Sequence, residues 1–355
     1  CDPESRALVA VGADWTDNRH VLGYLNPLQT AEGKSNGTPI YETTSILDLI
    51  LHANDHRDQP HVLILDEMNL SHVERYFADF LSAMELDDKT NALKLHAAGN
   101  ARTRSGVDVP GRIDFPENLF VIGTVNIDET TYMFSPKVLD RANVIEIDAD
   151  ETALENFLTK IETSGTDQEG KDYGISFLEA ARVVRNGDEK DGRVPQLPDD
   201  VCKEATKHLM ALFRIMKRGR GEYGFRTGKE VMAYLRTAHF LAGPDVATRK
   251  AWAKVGEPNG DWVKSLDEQV LQKILPKLHG SRSRLTPLLG ALTQYCATGN
   301  ETYALEHFPG EDGSTAKRGL RDACATSSPV FDKSHEKLKR MISVLVEEQF
   351  VSFIC

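Results

Sequence analysis

The fold is decided by residues 61–67, His61-Val62-Leu63-Ile64-Leu65-Asp66-Glu67, which run on into Met68-Asn69. Four consecutive apolar residues are too few for a buried helix, and their branching favours an extended strand covered on both faces. The run stops on two acids. A buried parallel strand ending this way delivers adjacent carboxylates to its C-terminal edge, where open α/β sheets bind ligands. An acid pair at a strand end is also a common solvated exit into a loop, so the surrounding segments must separate the two readings.

Those segments alternate strand and helix. Residues 8–11, LVAV, form a short apolar run closed by Gly12. Ser45-Ile46-Leu47-Asp48 has capping-box spacing and opens an apolar helix through Ile50 and Leu51, after which Pro60 resets the chain for the acid-terminated strand. Beyond it, Leu70, Val73, Phe77, Phe80, Leu81 and Met84 recur at helical spacing, which predicts one buried helix face with an ordinary packing role. Residues 119–125, LFVIGTV, make a second fully apolar strand, ending on the amide Asn126, and residues 143–147, NVIEI, are expected to add a final strand. Two neighbouring strands that end in an acid pair and an amide create one polar cluster at one sheet edge. Oxygen donors there suit a hard cation such as Mg²⁺ and can orient a water.

Composition bounds the rest. A chain of 355 residues with 40% hydrophobic and 27% charged residues predicts two or three globular domains with sizeable cores. No apolar run is long enough to span a bilayer and no leader is apparent, so a cytoplasmic protein without a membrane partner is expected. Cys1, Cys202, Cys296, Cys324 and Cys355 include no C-x-x-C pair, which argues against a zinc site or a disulfide framework. A net charge of −12 opposes a surface wholly coated by nucleic acid. The basic residues of 85–117 (Lys89, Lys94, His96, Arg102, Arg104 and Arg112) lack interleaved aromatics and read as a solvated hairpin.

LILDEMNLSHVERYFADFLSAME, with LFVIGTVNIDETTYMFSPKVLDRANVIEI, resembles the AAA+ motor of McrB-type proteins, the NTPase subunits of modification-dependent restriction systems. VGADWTDNRHVLGYLNPL, YGFRTGKEV and LQKILPKLHGSRSRL extend the similarity in separated blocks over residues 8–292. The resemblance implies an α/β fold with an AAA+ P-loop NTPase-type parallel sheet, followed by an α-helical lid. Asp66 and Glu67 match the Walker B pair, with Asp66 serving Mg²⁺ through water and Glu67 aligning the attacking water. Asn126 matches the sensor-1 residue. Arg141 falls where the family carries an arginine finger directed at a neighbouring subunit, its alternative being an ion pair with Asp140 or Glu146. Arg226 matches the sensor-2 arginine of the lid, placed at a helix N-terminus by a capping box at Thr227-Gly228-Lys229-Glu230; without the resemblance it reads as an exposed arginine beside Tyr223 and Phe225. The implied activity is hydrolysis of ATP or GTP in a ring, a hexamer, that drives DNA translocation for an McrC-like nuclease subunit. Another AAA+ remodelling ATPase and a non-catalytic ring or scaffold subunit are the alternatives.

One requirement of the family is missing from the sequence. A P-loop needs a Gly-rich turn after a strand, then Lys and Ser/Thr opening a helix. Gly33-Lys34-Ser35 is the nearest match, but Leu28 stands where the first glycine belongs and Asn36-Gly37-Thr38-Pro39 cannot start a helix. The chain is therefore expected to begin after the P-loop strand. That strand's absence should leave a gap in the sheet or a collapsed substitute pairing.

The expected organisation is a partial nucleotide-binding domain over residues 1–150, an acidic loop-rich linker over 151–198, a helical lid over 199–300, and a C-terminal helical segment over 301–355. The linker carries Ser164–Gly170 and Asn186–Gly192 as glycine-containing acidic loops around one helix near 177–184. In the lid, Ala205, Leu209, Leu212, Phe213 and Met216 predict an amphipathic helix ending before Gly219, and Val270, Leu271, Ile274, Leu275 and Leu278 a buried face interrupted at Pro276. Leu338, Met341, Ile342 and Leu345 predict a packed terminal helix.

Overall fold

In the computed structural model the described residues are 3–30, 38–84, 92–98, 101–126, 132–147, 177–178, 181–182, 196–242, 246–255, 260–306 and 328–353. The chain divides into two units, residues 1–141 with 162–185, and residues 142–161 with 186–355. The first is mixed α/β and the described part of the second is mostly helical.

Three parallel strands carry the first unit: β1 (Arg6–Ala10), β4 (His61–Asp66) and β9 (Leu119–Gly123), in the order β1-β4-β9. The expected strand ending in the acid pair is therefore central. Burial alternates along it: Leu63 and Leu65 are fully buried, whereas Val62 and Ile64 are only half-buried. Leu8 and Ile122, in register on either side of Ile64, are 71% and 52% exposed. The expectation of a strand covered on both faces is thus corrected, because among the described residues helices pack densely on one face only. That face is closed by α2 (Ser45–Asp55), α3 (Val73–Tyr76) and α4 (Ala78–Ala83), through Ile46, Leu49, Ile50, Phe77, Phe80 and Leu81. On the other, the ring of Phe177 lies 4.9 Å from that of Phe120.

Local chemistry shifts two boundaries here. The cap of α2 is Thr44, one residue before the expected Ser45: its Oγ1 accepts from the Leu47 N–H at 3.2 Å and donates to the Val21 carbonyl. The single helix expected through Leu70 and Met84 is instead a 3₁₀ turn (Met68–Leu70) followed by α3 and α4, which meet at Phe77. The apolar spacing still places Val73, Phe77, Phe80 and Leu81 in the core.

The basic segment forms nested antiparallel pairs, β5 (Ala92–Lys94) with β8 (Arg112–Asp114) and β6 (Ala101–Arg102) with β7 (Asp108–Val109). β6 continues a small sheet with β3 (Pro39–Glu42) and β2 (Tyr24–Thr30), the latter following the short helix α1 (Arg19–Leu22). Arg102 pairs with Asp108 at 2.6 Å and Arg104 with Glu42 at 2.5 Å, so carboxylates already answer these cations.

Residues 143–147 do not form the expected strand. A parallel strand needs a neighbour to receive its N–H and C=O groups, and among the described residues β9 pairs only with β4. The segment belongs to the second unit, where the Val144 N–H donates to the Gln272 carbonyl at 3.2 Å and Glu146 pairs with Lys337 at 2.5 Å. Ile145 and Ile147 are left 72% and 93% exposed.

The second unit is a helical assembly with one continuous core. α6 (Asp199–Arg218) ends at Gly219 as expected, with Ala205, Leu209, Leu212 and Met216 buried. α7 (Phe225–Leu241) starts two residues before the expected cap; Thr227 is already inside the helix, where it accepts from Lys277 Nζ, and Glu230 pairs with the buried Lys273. α8 (Val246–Trp252) and α9 (Asp261–Gln269) follow. The helix then widens into a π-turn over Val270–Ile274 and tightens at Leu275–Lys277, the interruption expected of Pro276, which supplies no N–H to the preceding turn. α10 (Arg282–Thr298), α11 (Glu301–Glu306) and α12 (Asp332–Glu348) complete it, with β10 (His279–Ser281) antiparallel to β11 (Phe350–Ser352). Leu289 and Leu292 of α10 and Leu338 and Met341 of α12 share the core, so helices on either side of residue 300 are packed as one body. Residues 177–178 and 181–182 are helical, while both acidic glycine-containing loops lie outside the described residues. Among the described residues no helix is long and apolar enough to cross a membrane.

Candidate functional site

The site is assembled where β4 and β9 end. β4 hands over to a tight loop because Glu67 takes a left-handed backbone, φ 54° and ψ 48°, and the 3₁₀ turn begins at the next residue. Such a conformation costs a non-glycine residue about 1 kcal/mol or more, and it persists here because both flanks are fixed. The Val11 N–H donates to the Asp66 carbonyl at 2.9 Å, and the Met68 N–H to the Thr124 carbonyl at 2.9 Å. Gly123 lets Met68 approach closely, since a Cβ on it would lie 2.4 Å from the Met68 sulfur and would force that side chain to move.

The two acids receive different partners. The Thr124 hydroxyl donates to Asp66 Oδ1 at 2.6 Å and accepts from the Glu67 N–H at 2.9 Å. Asn126 Nδ2 donates to Glu67 Oε1 at 3.0 Å, and Asn69 Nδ2 holds the Asn126 carbonyl at 2.9 Å. Asp66 is exposed and Glu67 half-exposed, and the bonds described engage one oxygen of each. Buried Asn69 keeps an Oδ1 with no hydrogen-bond partner. The loop is fastened from below by Tyr76, whose hydroxyl donates to the Met68 carbonyl, and by Ser71, which donates to the Trp15 carbonyl at 2.7 Å.

Asp66, Glu67 and Asn126 are thus brought together as the sequence expects. Arg141 lies in the same unit, in the turn after α5 (Pro136–Leu139), and its guanidinium donates to the carbonyls of Leu81, at 2.9 Å, and Lys137. Of its two expected alternative partners, Asp140 and Glu146, the second is engaged by Lys337. Arg226 is half-buried in the first turn of α7, in the second unit. Gly33-Lys34-Ser35 and residues 127–131 lie outside the described residues. Thr124 and Asn69 were missed by sequence reasoning. Thr124 had a signal, being the one hydroxyl in the apolar run LFVIGTV, whereas Asn69 reads as an ordinary loop amide.

Asp66 offers a carboxylate oxygen, Thr124 fixes its orientation, and no group of three or more His, Cys, Asp or Glu side chains among the described residues forms a closed cage. One carboxylate oxygen at the end of a strand fits Mg²⁺, which keeps most of its water.

A family profile described as a domain of unknown function (DUF8727) matches residues 179–350, which covers most of the helical unit and leaves the Asp66–Glu67 edge outside the match. No curated protein matches the chain.

Proposed function

We propose that the first unit is the hydrolytic part of an AAA+ nucleoside triphosphatase of the McrB type, with its acid pair at the C-terminal end of β4 as the reaction centre. The observation that carries this is the division of labour between the carboxylates: Thr124 orients Asp66, and Asn126 orients Glu67. With Oε1 occupied by Asn126, Glu67 accepts a proton from water through Oε2 as the water oxygen attacks the γ-phosphorus and the bond to the β-phosphate oxygen breaks. Asp66 would hold Mg²⁺ through water, and the cation would neutralise charge on the phosphate oxygens. Arg141 acts as a finger toward a neighbouring ring subunit only after its guanidinium leaves the Leu81 and Lys137 carbonyls, which makes the in-trans role a conformational step. On the same family reading the helical unit is the lid and Arg226 its sensor-2 arginine. Coupling to DNA translocation and to a nuclease partner follows from the same family reading, and either ATP or GTP is an acceptable substrate.

The test joins this chain to a phosphate-binding strand and loop placed ahead of Leu8. Glu67→Gln should retain nucleotide affinity while hydrolysis falls by about 10²-fold or more, the scale of a general base. Turnover near wild type in that variant would remove Glu67 from the mechanism.

A further inference from the structure

The turn between α6 and α7, residues 219–224, packs on the start of α10. A Cβ on Gly219 would lie 2.6 Å from a Leu288 methyl, and the Arg284 guanidinium donates to the Arg220 carbonyl at 3.4 Å. Three arginines, Arg220, Arg282 and Arg284, are gathered there at positions the backbone does not favour for them. Arg220 takes a left-handed conformation, φ 58°, in the place after a helix that glycine usually fills, although glycine stands on both sides of it. A departure of that kind points to a role for the side chain. Arg282 and Arg284 occupy the first turn of the 17-residue α10, a turn without an acidic residue, where the positive end of the helix dipole opposes cations. Among the described residues none of the three forms an ion pair, and the guanidinium bonds of Arg282 and Arg284 go to the carbonyls of Val346 and Arg220, both at 3.4 Å. Leaving out Arg218, Arg226 and Lys277, which have other contacts, Lys217 and the three arginines still outnumber Glu222 and, at the end of α12, Glu347 and Glu348, in a chain that carries −12.

Phe225 is the second, independent observation. It opens α7, five residues after Arg220, and is fully exposed. The other aromatic of the same turn, Tyr223, is buried, its hydroxyl donating to the Leu209 carbonyl and its ring edge-on to Phe213. The core thus takes one ring and leaves its neighbour in water. A lone exposed phenyl means little, but one set close to guanidinium groups without carboxylate partners has the composition of a base-stacking platform. Five residues of chain reach at most about 18 Å, within the few nucleotides that one such platform covers.

We infer that this turn is a contact surface for single-stranded nucleic acid, with Arg220, Arg282 and Arg284 on its phosphates and a base stacked on Phe225. Guanidinium matches phosphate oxygens in both shape and charge, and a phosphate beside Arg282 and Arg284 would answer the helix end that they oppose. A duplex keeps its bases stacked on one another and offers Phe225 no free face, so the single strand is the form that fits. The surface lies within the helical unit, inside the residues matched by the DUF8727 profile, and does not depend on the hydrolytic reading of the first unit.

The experiment uses the whole chain without nucleotide or Mg²⁺. Fluorescence anisotropy follows a labelled oligothymidylate of about 12 nucleotides, within the range such surfaces cover, with its duplex and polyglutamate as comparison polyanions. The expected result is saturable binding of the single strand, much weaker binding of the duplex and none of polyglutamate. Phe225→Ala should weaken binding about tenfold with the salt dependence unchanged, and Phe225→Trp should keep it. Arg220→Gly and Arg284→Gln should each weaken it and reduce the slope of log K against log salt by about 0.7, the share of one phosphate contact. Arg220→Gly should nonetheless melt no lower than wild type, because glycine fits the left-handed backbone, which separates a binding role from a structural one. Lys203→Gln, near the other end of α6, should change neither affinity nor slope. A circular-dichroism melt checks each variant, and the second arginine guards against misfolding of the first. No saturable binding of the single strand, duplex or polyglutamate bound as tightly as the single strand, or wild-type affinity in Phe225→Ala or in both arginine variants would overturn the assignment.

Discussion

Replacing Asp267 should unfold the helical unit more readily than any surface substitution, and by an amount that the geometry sets. Asp267 lies 3% exposed in α9, and its two carboxylate oxygens accept from the Lys333 and Ser334 N–H groups at 2.8 and 3.0 Å. These are first-turn donors of α12, whose own N-cap residue Phe331 makes no side-chain cap bond, so the cap comes from another helix. Asp267→Ala strands both donors. The buried Ser334 orphan costs about 1–3 kcal/mol and the part-buried Lys333 orphan less, which together with the relief of no longer burying a charge gives about 2–4 kcal/mol. For a domain of this size that is a fall in Tm of roughly 5–15 °C. Asp267→Asn keeps one acceptor oxygen and should lose less. Burial raises the Asp267 pKa above its ordinary 3.8, opposed only in part by its bonds from Ser334 and Lys333. The folded protein therefore takes up this proton before the unfolded chain does, so the site's contribution to stability rises as pH falls through the folded pKa and levels off below 3.8. The Asn variant lacks that slope. Urea unfolding of the three proteins between pH 7 and about 4 tests the account. A loss below about 1 kcal/mol in Asp267→Ala, or identical pH slopes in wild type and Asn, would refute it.

Two further outcomes are expected. Calorimetric titration of the 355-residue chain with Mg·ATP and Mg·GTP should show no binding, because no Gly-rich cradle precedes the acid-terminated strand; micromolar affinity would mean that residues 33–35 or another segment holds the phosphates. His61 is fully buried at the start of β4, its Nε2 2.8 Å from His52 Nδ1, and burial holds its pKa below the ordinary 6.5. In the unfolded chain it protonates first, so the stability of the first unit should fall as pH drops below 6.5, and an NMR titration placing the His61 pKa at or above 6.5 would contradict this.

The parts of the fold legible in the sequence are those written in short-range pattern. The runs LVAV, HVLILDE and LFVIGTV identified three parallel strands, and the apolar spacing in 199–218 and 332–348 identified two long helices. The placement of Asp66, Glu67 and Asn126 followed from where those strands end. What stayed hidden depends on partners far along the chain. Thr44 outcompetes Ser45 as cap because it can also reach the Val21 carbonyl, and α12 needs no capping signal of its own because Asp267 lies 66 and 67 positions before the donors it serves. Residues 143–147 have strand composition, yet composition cannot supply a neighbouring strand. Thr124 looked like one more strand residue until the fold set its hydroxyl between the two acids.

The central claim is that Glu67 and Asn126 act on one water as a unit, and a double-mutant cycle in the chain carrying an upstream phosphate-binding loop tests it most directly. Steady-state hydrolysis is measured for Glu67→Gln, Asn126→Ala and both together, with nucleotide affinity measured in parallel. If Asn126 works by orienting Glu67 through its 3.0 Å bond, adding Asn126→Ala to Glu67→Gln should lower kcat little further, a non-additivity worth roughly 1 kcal/mol or more. Fully additive losses, or wild-type turnover in either single variant with affinity intact, would contradict the assignment of this sheet edge as the hydrolytic centre.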